Sequence, residues 1–376
     1  MRQITRFLSS LRLTIFVLFC LLILVFMATM AQVDLGIYFA KKKYFDTWFV
    51  YSEPVYGVAI PYFLGGWGVG WLLLLNLCMA HATRFEWEVK KTGLWLTHVG
   101  LIVLIVGSGM TEFFANESQL VLKEGQEKNH LISSEQAELV VTKETLLSEK
   151  VVSIPEQLLS SGMTVTQASL PFSMRIVHYA PNTVLSMASL GKKPAYQATQ
   201  GIGKQIWSRE IAENKRDMAQ NAKTAWVDIC KGNRSLGVWM VSTQLGAMQP
   251  IWVDDCAYKI QLRPRRTYLP FSIKLLDFKH DVYPGTSIPK NFSSKVRVKN
   301  KQTNETLEAL ISMNNPLRYG GFTVYQASFS GNDTISVFQV VQNRFWALPY
   351  IASFLIFLGL LIHFSMHLMG HFGKRR

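Results

Sequence analysis

Histidines inside apolar runs are the residues of this chain best suited to chemistry. An ionisable group in such a run must offset its own desolvation, so it is a functional candidate by default. His98 stands in LWLTHVGLIVLIVG, Leu94 to Gly107. Its neutral imidazole would serve as an axial ligand to haem iron or another metal; a hydrogen bond to a nearby carbonyl would explain it equally well. His363, His367 and His371 follow at four-residue spacing in the last apolar stretch and share one helical face. His363 lies at a depth similar to His98, which permits a two-histidine site. The rival reading is a helix emerging into the headgroups. His81, beside Arg84, reads as a headgroup contact. His178 and His280, on alternating segments, read as surface histidines or ligand contacts.

Cysteines divide by environment. Cys20 and Cys78 sit in apolar runs and read as small packing residues. Cys230 and Cys256 lie in the long middle segment, where a disulfide between them is expected if that segment is outside the cell. No Cys-x-x-Cys motif, phosphate loop, nucleophile elbow or metalloprotease histidine pair is present. No catalytic residue is therefore assigned.

These histidines need helices to hold them. Of 376 residues, 49% are apolar and 17% charged, against about 25% charged in soluble domains. Four runs are long enough to span a bilayer core of roughly 30 Å: Leu13 to Ala31, Tyr62 to Ala80, Leu94 to Met110 or Phe114, and Phe345 to Leu368. Each must be helical, because lipid offers no partner for an open backbone. Nine basic residues flank one set of span ends (Arg2, Arg6, Arg12, Arg84, Lys90, Lys91, Lys374, Arg375, Arg376), against Lys41, Lys42 and Lys43 on the other. Both termini are thus expected in the cytoplasm, with the long middle segment outside. Cleavage of the first span as a signal peptide is the rival.

The expected fold class is an integral membrane protein with four transmembrane α-helices and a large extracytoplasmic β-rich domain, a sandwich or open barrel, between the third and fourth. The expected divisions are residues 1–114, with an external loop at 32–61; 115–344, with a polar insertion at about 181–225 expected to be partly helical; and 345–376. Period-two alternation marks strands at Leu120 and Leu122, at Phe172, Met174 and Ile176, and at Phe271, Ile273 and Leu275. It recurs at Leu307 to Met313 and at Ile335, Val337, Gln339 and Val341. Aromatic residues crowd residues 32–61 as in an interfacial belt. The net charge of +14 includes Arg263, Arg265 and Arg266 and the run Lys295, Arg297, Lys299 and Lys301. These suit a solvated face, an acidic partner, anionic membrane lipid or haem propionates; nucleic acid is excluded by the external placement.

Several runs resemble the ResB (CcsB) family of the system II cytochrome c biogenesis pathway: LLLLNLCMAHATRF (Leu72 to Phe85), LVLKEGQ (Leu120 to Gln126), VYPGTSIPKNFSSKVRV (Val282 to Val298) and NNPLRYGGFTVYQ (Asn314 to Gln326). Residues 181 to 270 match poorly. The resemblance implies a subunit of the bacterial inner membrane that works with a CcsA (ResC) partner to move haem across the membrane and present it to apocytochrome c. It implies that His98 is an axial ligand of a haem shared with that partner. The partner's tryptophan-rich motif is missing; GGWGVGW (Gly65 to Trp71) has no acid after it. The resemblance thus implies a non-catalytic or haem-ligating subunit of a cytochrome c haem lyase. Two rivals are a haem-free scaffold or sensor, and a stand-alone carrier using His98 and His363.

Overall fold

A computed structural model describes the chain except residues 1, 55–57, 84–87, 145–147, 188–194, 215–219, 286–288, 331–333 and 374–376. Tyr56, Arg84 and the side chain of His371 lie outside the described residues. The chain divides into two compact units: Met1–Asn116 with Gln342–Arg376, and Glu117–Val341.

The first unit is helical. After α1 (Arg2–Leu8), the Ser10 hydroxyl accepts the Leu13 N–H at 3.2 Å and caps α2 (Leu11–Tyr44). This helix continues well past Ala31, where the loop was expected; Gly36 alone departs from helical angles, at φ 73°. Apolar content marks where lipid is tolerated, not where a helix stops. The polar extension remains helix-compatible, and Lys41, Lys42 and Lys43 sit in its last turn, opposite the negative end of the helix dipole. Only then come strands β1 (Phe49–Tyr51) and β2 (Pro61–Leu64), paired antiparallel. Three more helices follow: α3 (Gly66–Thr83), α4 (Thr92–Phe114) and α5 (Leu348–Gly373). Among the described residues three segments are long and apolar enough to cross a membrane, Leu11–Tyr44, Val89–Phe114 and Leu348–Met369. Helix α3, at 18 residues, is shorter and carries the polar Asn76 within it.

Asn76 is 1% exposed and ties α3 to the start of α2. Its amide donates to the Leu8 and Ser10 carbonyls at 2.6 and 3.2 Å, and its oxygen accepts from the Thr14 hydroxyl at 2.6 Å. Interhelical polar bonds within apolar surroundings contribute about 1–2 kcal/mol. Asn76→Leu is expected to lose that much stability, read as an earlier midpoint when the detergent-solubilised chain is unfolded with a denaturing detergent. A Thr14→Val variant should lose less, since it breaks one bond of three.

Helices α4 and α5 meet along a glycine line. A Cβ on Gly93 would stand 2.5 Å from the His363 backbone nitrogen; on Gly100, 2.9 Å from that of Ile356; on Gly107, 2.8 Å from the Leu348 Cβ. Gly359 answers from α5, where a Cβ would lie 2.6 Å from the Thr97 nitrogen. Small residues let two backbones approach this closely where no hydrophobic drive exists between lipid-facing helices.

The second unit is built of strands β3 (Asn116–Lys123), β4 (Glu127–Glu144), β5 (Glu149–Pro155), β6 (Thr164–Thr166), β7 (Ser173–Ala180), β8 (Thr183–Ser186), β9 (Trp207–Glu210), β10 (Thr224–Lys231), β11 (Arg234–Ser242), β12 (Gln249–Val253), β13 (Cys256–Val282), β14 (Pro289–Asn300), β15 (Glu305–Ser312), β16 (Leu317–Tyr319), β17 (Phe322–Ser330) and β18 (Ile335–Gln342). A ten-stranded sheet runs β15-β14-β13-β4-β3-β18-β17-β16, with β12 on β13 and β5 on β4. A four-stranded sheet, β11-β10-β7-β6, faces its β4–β13 end across a core that includes Leu139, Ile154, Met174, Ile176, Val227 and Ile260. Leu120, Leu122, Phe271, Ile273, Val296 and Phe338 close a second core where the large sheet curls. The two longest strands, β4 and β13, serve both cores. Strand β13 carries Pro264 and Pro270 at register shifts, where a missing amide is tolerated.

Two details differ from the sequence reading. The buried face of β18 is Ser336, Phe338 and Val340, opposite the expected phase. Apolar side chains stand on both faces of ISVFQVVQ, so alternation does not select one. Ser336 is buried because it joins Ser294 and Gln326 in a hydrogen-bonded set at 2.7–2.8 Å. In the stretch 181–225, the described residues form no α-helix. They make the β8–β9 pair and a short 3-10 turn at Ile202–Gln205.

Candidate functional site

His98 sits in the second turn of α4, roughly 9 Å along the axis from Thr92. Its Nδ1–H donates to the Leu94 carbonyl of its own helix at 2.7 Å. That bond fixes the neutral tautomer and leaves Nε2 as the lone-pair nitrogen, the form in which imidazole binds a metal. The ring is half-buried. Toward it, from the last turn of α3, comes His81, its ring centroid 6.2 Å from that of His98 with a 40° tilt. Trp95 packs edge-on against His81 at 4.2 Å.

His363 belongs to a different cluster. Its ring stands 4.7 Å from His367 and 5.6 Å from Phe364, and its backbone is level with Gly93. Among the described residues no ring contact joins His363 to His98. The structure pairs His98 with His81, and His363 with His367. A signal for the first pairing was present: a short link joins α3 to α4, which brings the end of one beside the start of the other. Among the described residues no group of three or more His, Cys, Asp or Glu is placed to hold a metal ion.

Nearer the other end of α3 and α4 lies an apolar groove of about 320 Å³, flanked by Trp67, Trp71 and Phe113. Gly70 and Gly109 floor it, with open space where a Cβ would stand. Trp67 and Phe113 stack at 4.6 Å. The tryptophans of GGWGVGW thus line a groove.

In the β-rich unit, His178 is held at both nitrogens: Nδ1 lies 3.3 Å from the Ser161 hydroxyl and Nε2 3.1 Å from a Glu210 carboxylate oxygen. Tyr196 stacks on it at 4.2 Å. Ser161 also accepts the Tyr179 N–H. The neighbouring Gly162 and Met163 amides are spent on the Ile176 and Ser160 carbonyls, so they offer no donors to an oxyanion. His280 packs against Phe329 at 4.2 Å. The disulfide expected between Cys230 and Cys256 is not formed; both thiols are free. Cys230 lies on β10 of the four-stranded sheet and Cys256 opens β13 of the large one, so each is fixed by its own ladder. Burial and the nearby Asp228 push the Cys230 thiol up.

The basic residues divide as well. Lys295 and Arg297 share Glu308 of β15, at 3.0 and 2.6 Å, and hold its carboxyl below the usual range. Arg263 makes a buried pair with Glu138 at 2.8 Å. Lys223 does the same with Glu156, whose carboxylate also accepts the Tyr179 hydroxyl at 2.7 Å.

Apolar helices long enough to cross a membrane, joined to a large β-rich unit, define a membrane protein in which His98 and His81 stand together at one end of a helix pair. Residues 251–345 match the ResB-like family. The chain is 24% identical over 294 residues to Protein NrfI of Wolinella succinogenes, an alignment covering 78% of this chain and 29% of that protein. It is 46% identical over 59 residues to the Cytochrome c biogenesis protein CcsB of Prochlorococcus marinus, covering 16% of this chain and 14% of that protein. The match to the ResB-like family covers about a quarter of the chain. It aligns with less than a third of NrfI's length.

Proposed function

We propose that this protein is the haem-ligating, ResB-like subunit of a system II cytochrome c synthase, acting with a CcsA/ResC-like membrane protein. In this reading four helices span the bacterial inner membrane, α3 being the fourth span. Both termini are cytoplasmic and the β-rich unit faces outward. The observation that carries the reading is His98: an imidazole in an apolar helix, its Nδ1–H held by Leu94 and its Nε2 left as a ligand atom. The residues fit haem in this respect, and His98 would hold the iron through Nε2. Bound there, haem would supply the vinyl groups that become thioethers on apocytochrome c. This chain's contribution would be positional: α4 and α5, locked by glycines, fix the ring, and the apolar surroundings exclude water.

Co-expression with a CcsA/ResC-like partner tests the reading. The purified complex is expected to show a Soret band of a six-coordinate haem, and this chain alone little or none. A complex free of haem would favour a scaffold. A second reading has its own observation, the 6.2 Å approach of His81 to His98. Two imidazoles on one metal place their ring centroids at about this separation, given metal–nitrogen bonds of about 2 Å. It requires a bis-histidine spectrum from this chain alone that is lost in His81→Ala and unaffected in His363→Ala.

A further inference from the structure

On the face of β4 and β13 turned away from the core, two cations, Lys128 and Arg266, converge with the His130 imidazole. The strands pair Tyr268 with His130 and Arg266 with Ile132, and beyond a bulge Ile273 with Lys128. Leu131 and Leu269, between them, are buried in the core, so Lys128, His130, Arg266 and Tyr268 take the other face. Lys128, His130 and Arg266 are half-buried. The Lys128 ammonium donates to the Val121 carbonyl at 2.7 Å, which leaves it two further protons.

Among the described residues no carboxylate forms an ion pair with Lys128 or Arg266; Glu138, which accepts the Arg266 backbone N–H at 3.3 Å, is paired with Arg263. The charges bearing on His130 are those of Arg266, Lys128 and Arg263, all positive, and Arg263 is already matched by Glu138. Arg266 also bears on Lys128, whose ammonium is pushed below its ordinary range by burial first and that charge second. Burial and the same cations push His130 down to about 4. The adjacent acid Glu127 accepts the Ser272 hydroxyl at 2.5 Å. Among the described residues neither Lys128 nor Arg266 makes an ion pair. Surface lysines ordinarily escape such crowding by pointing into water; this one is held down by its bond to β3. Beside the cations the Tyr268 ring, 60% exposed, lies 5.9 Å from the His130 ring.

We propose that Lys128, His130 and Arg266 form an oxyanion site, and that the exposed Tyr268 ring beside it selects a flat, apolar ligand bearing carboxylates. Arg266 supplies a planar fork of donors, Lys128 a point charge, and Tyr268 a face to stack on. The class of ligand is an aromatic or tetrapyrrole carboxylate. The proposal uses no residue of the helical unit, so its failure would leave the reading of His98 intact.

The test is fluorescence titration of the full chain, in neutral detergent, with metal-free protoporphyrin IX and with its dimethyl ester. Wild type is expected to bind the free acid about tenfold more tightly than the ester, the equivalent of one good charge-assisted contact. Excess inorganic phosphate should compete away that preference. The Lys128→Gln, Arg266→Gln double variant should bind acid and ester alike, Lys128→Arg should keep the preference, and Tyr268→Ala should weaken both ligands. Equal affinity for acid and ester in wild type, or an undiminished preference in the double variant, would overturn the proposal.

Discussion

His98→Ala is expected to strip haem from the co-purified complex, with the Soret band falling to a few per cent of the wild-type amplitude per protein. The argument begins with what the substitution does not do. The side chain's hydrogen bond is to Leu94 of its own helix, so losing it costs α4 about 1 kcal/mol or less. The complex should therefore still assemble, and loss of haem can be separated from loss of fold. What disappears is the Nε2 ligand, which nothing adjacent on α4 can replace: the neighbours are Thr97 and Val99. The space vacated is imidazole-shaped, so added imidazole should restore part of the band. Two companions sharpen the result. His363→Ala should leave the spectrum unchanged, because that ring lies with His367. His81→Ala should shift the spectrum only if the second ligand comes from within this chain. Full haem content in the His98→Ala complex would sink the ligand assignment.

How much of this was readable beforehand depended on what each signal measures. Hydropathy located the lipid-compatible runs, and it put His98 within one. It could not show that α2 continues to Tyr44, because propensity and capping end a helix while apolar content does not. Alternation found the core faces of β3 and β7, where apolar and polar residues differ sharply: Leu120, Leu122, Met174 and Ile176 are all buried. It missed the phase of β18, whose faces are both apolar and whose buried serine is decided by partners on β14 and β17. Depth along a span suggested His363 as the companion of His98. Among the described residues the histidine ring in contact with His98 is that of His81, and depth carries no information on rotation about the helix axis. The cation group of β4 and β13 was only half visible. The arginines are neighbours in sequence, but which of them are matched by acids depends on strand register.

The glycines of α4 yield the largest effect expected on the fold itself. Gly93, Gly100 and Gly107 recur at seven residues, a spacing that keeps them on one side of a helix with only slight drift. A leucine at Gly93 or Gly100 would set its Cβ within 2.5 or 2.9 Å of a backbone nitrogen on α5. Backbone cannot rotate aside as the end of a side chain can, so the helices must separate along the whole contact. Overpacking ordinarily costs about 1–3 kcal/mol where side chains can yield; here about 3 kcal/mol or more is expected. Alanine should give a smaller loss of the same sign. The comparison that isolates packing from helix propensity is Gly109→Ala, two residues from Gly107 but open to the Trp67–Trp71 groove. Removing glycine from a helix favours the helix by about 1 kcal/mol, so Gly109→Ala should be neutral or slightly stabilising. Unfolding midpoints of the detergent-solubilised variants measure both effects. Because α5 braces the turns of α4 that carry His98, Gly93→Leu should also lower haem content without touching any ligand, and added imidazole should fail to restore it. Midpoints for Gly100→Leu and Gly109→Ala that fall together would mean that glycine flexibility, not close approach to α5, is what these positions require.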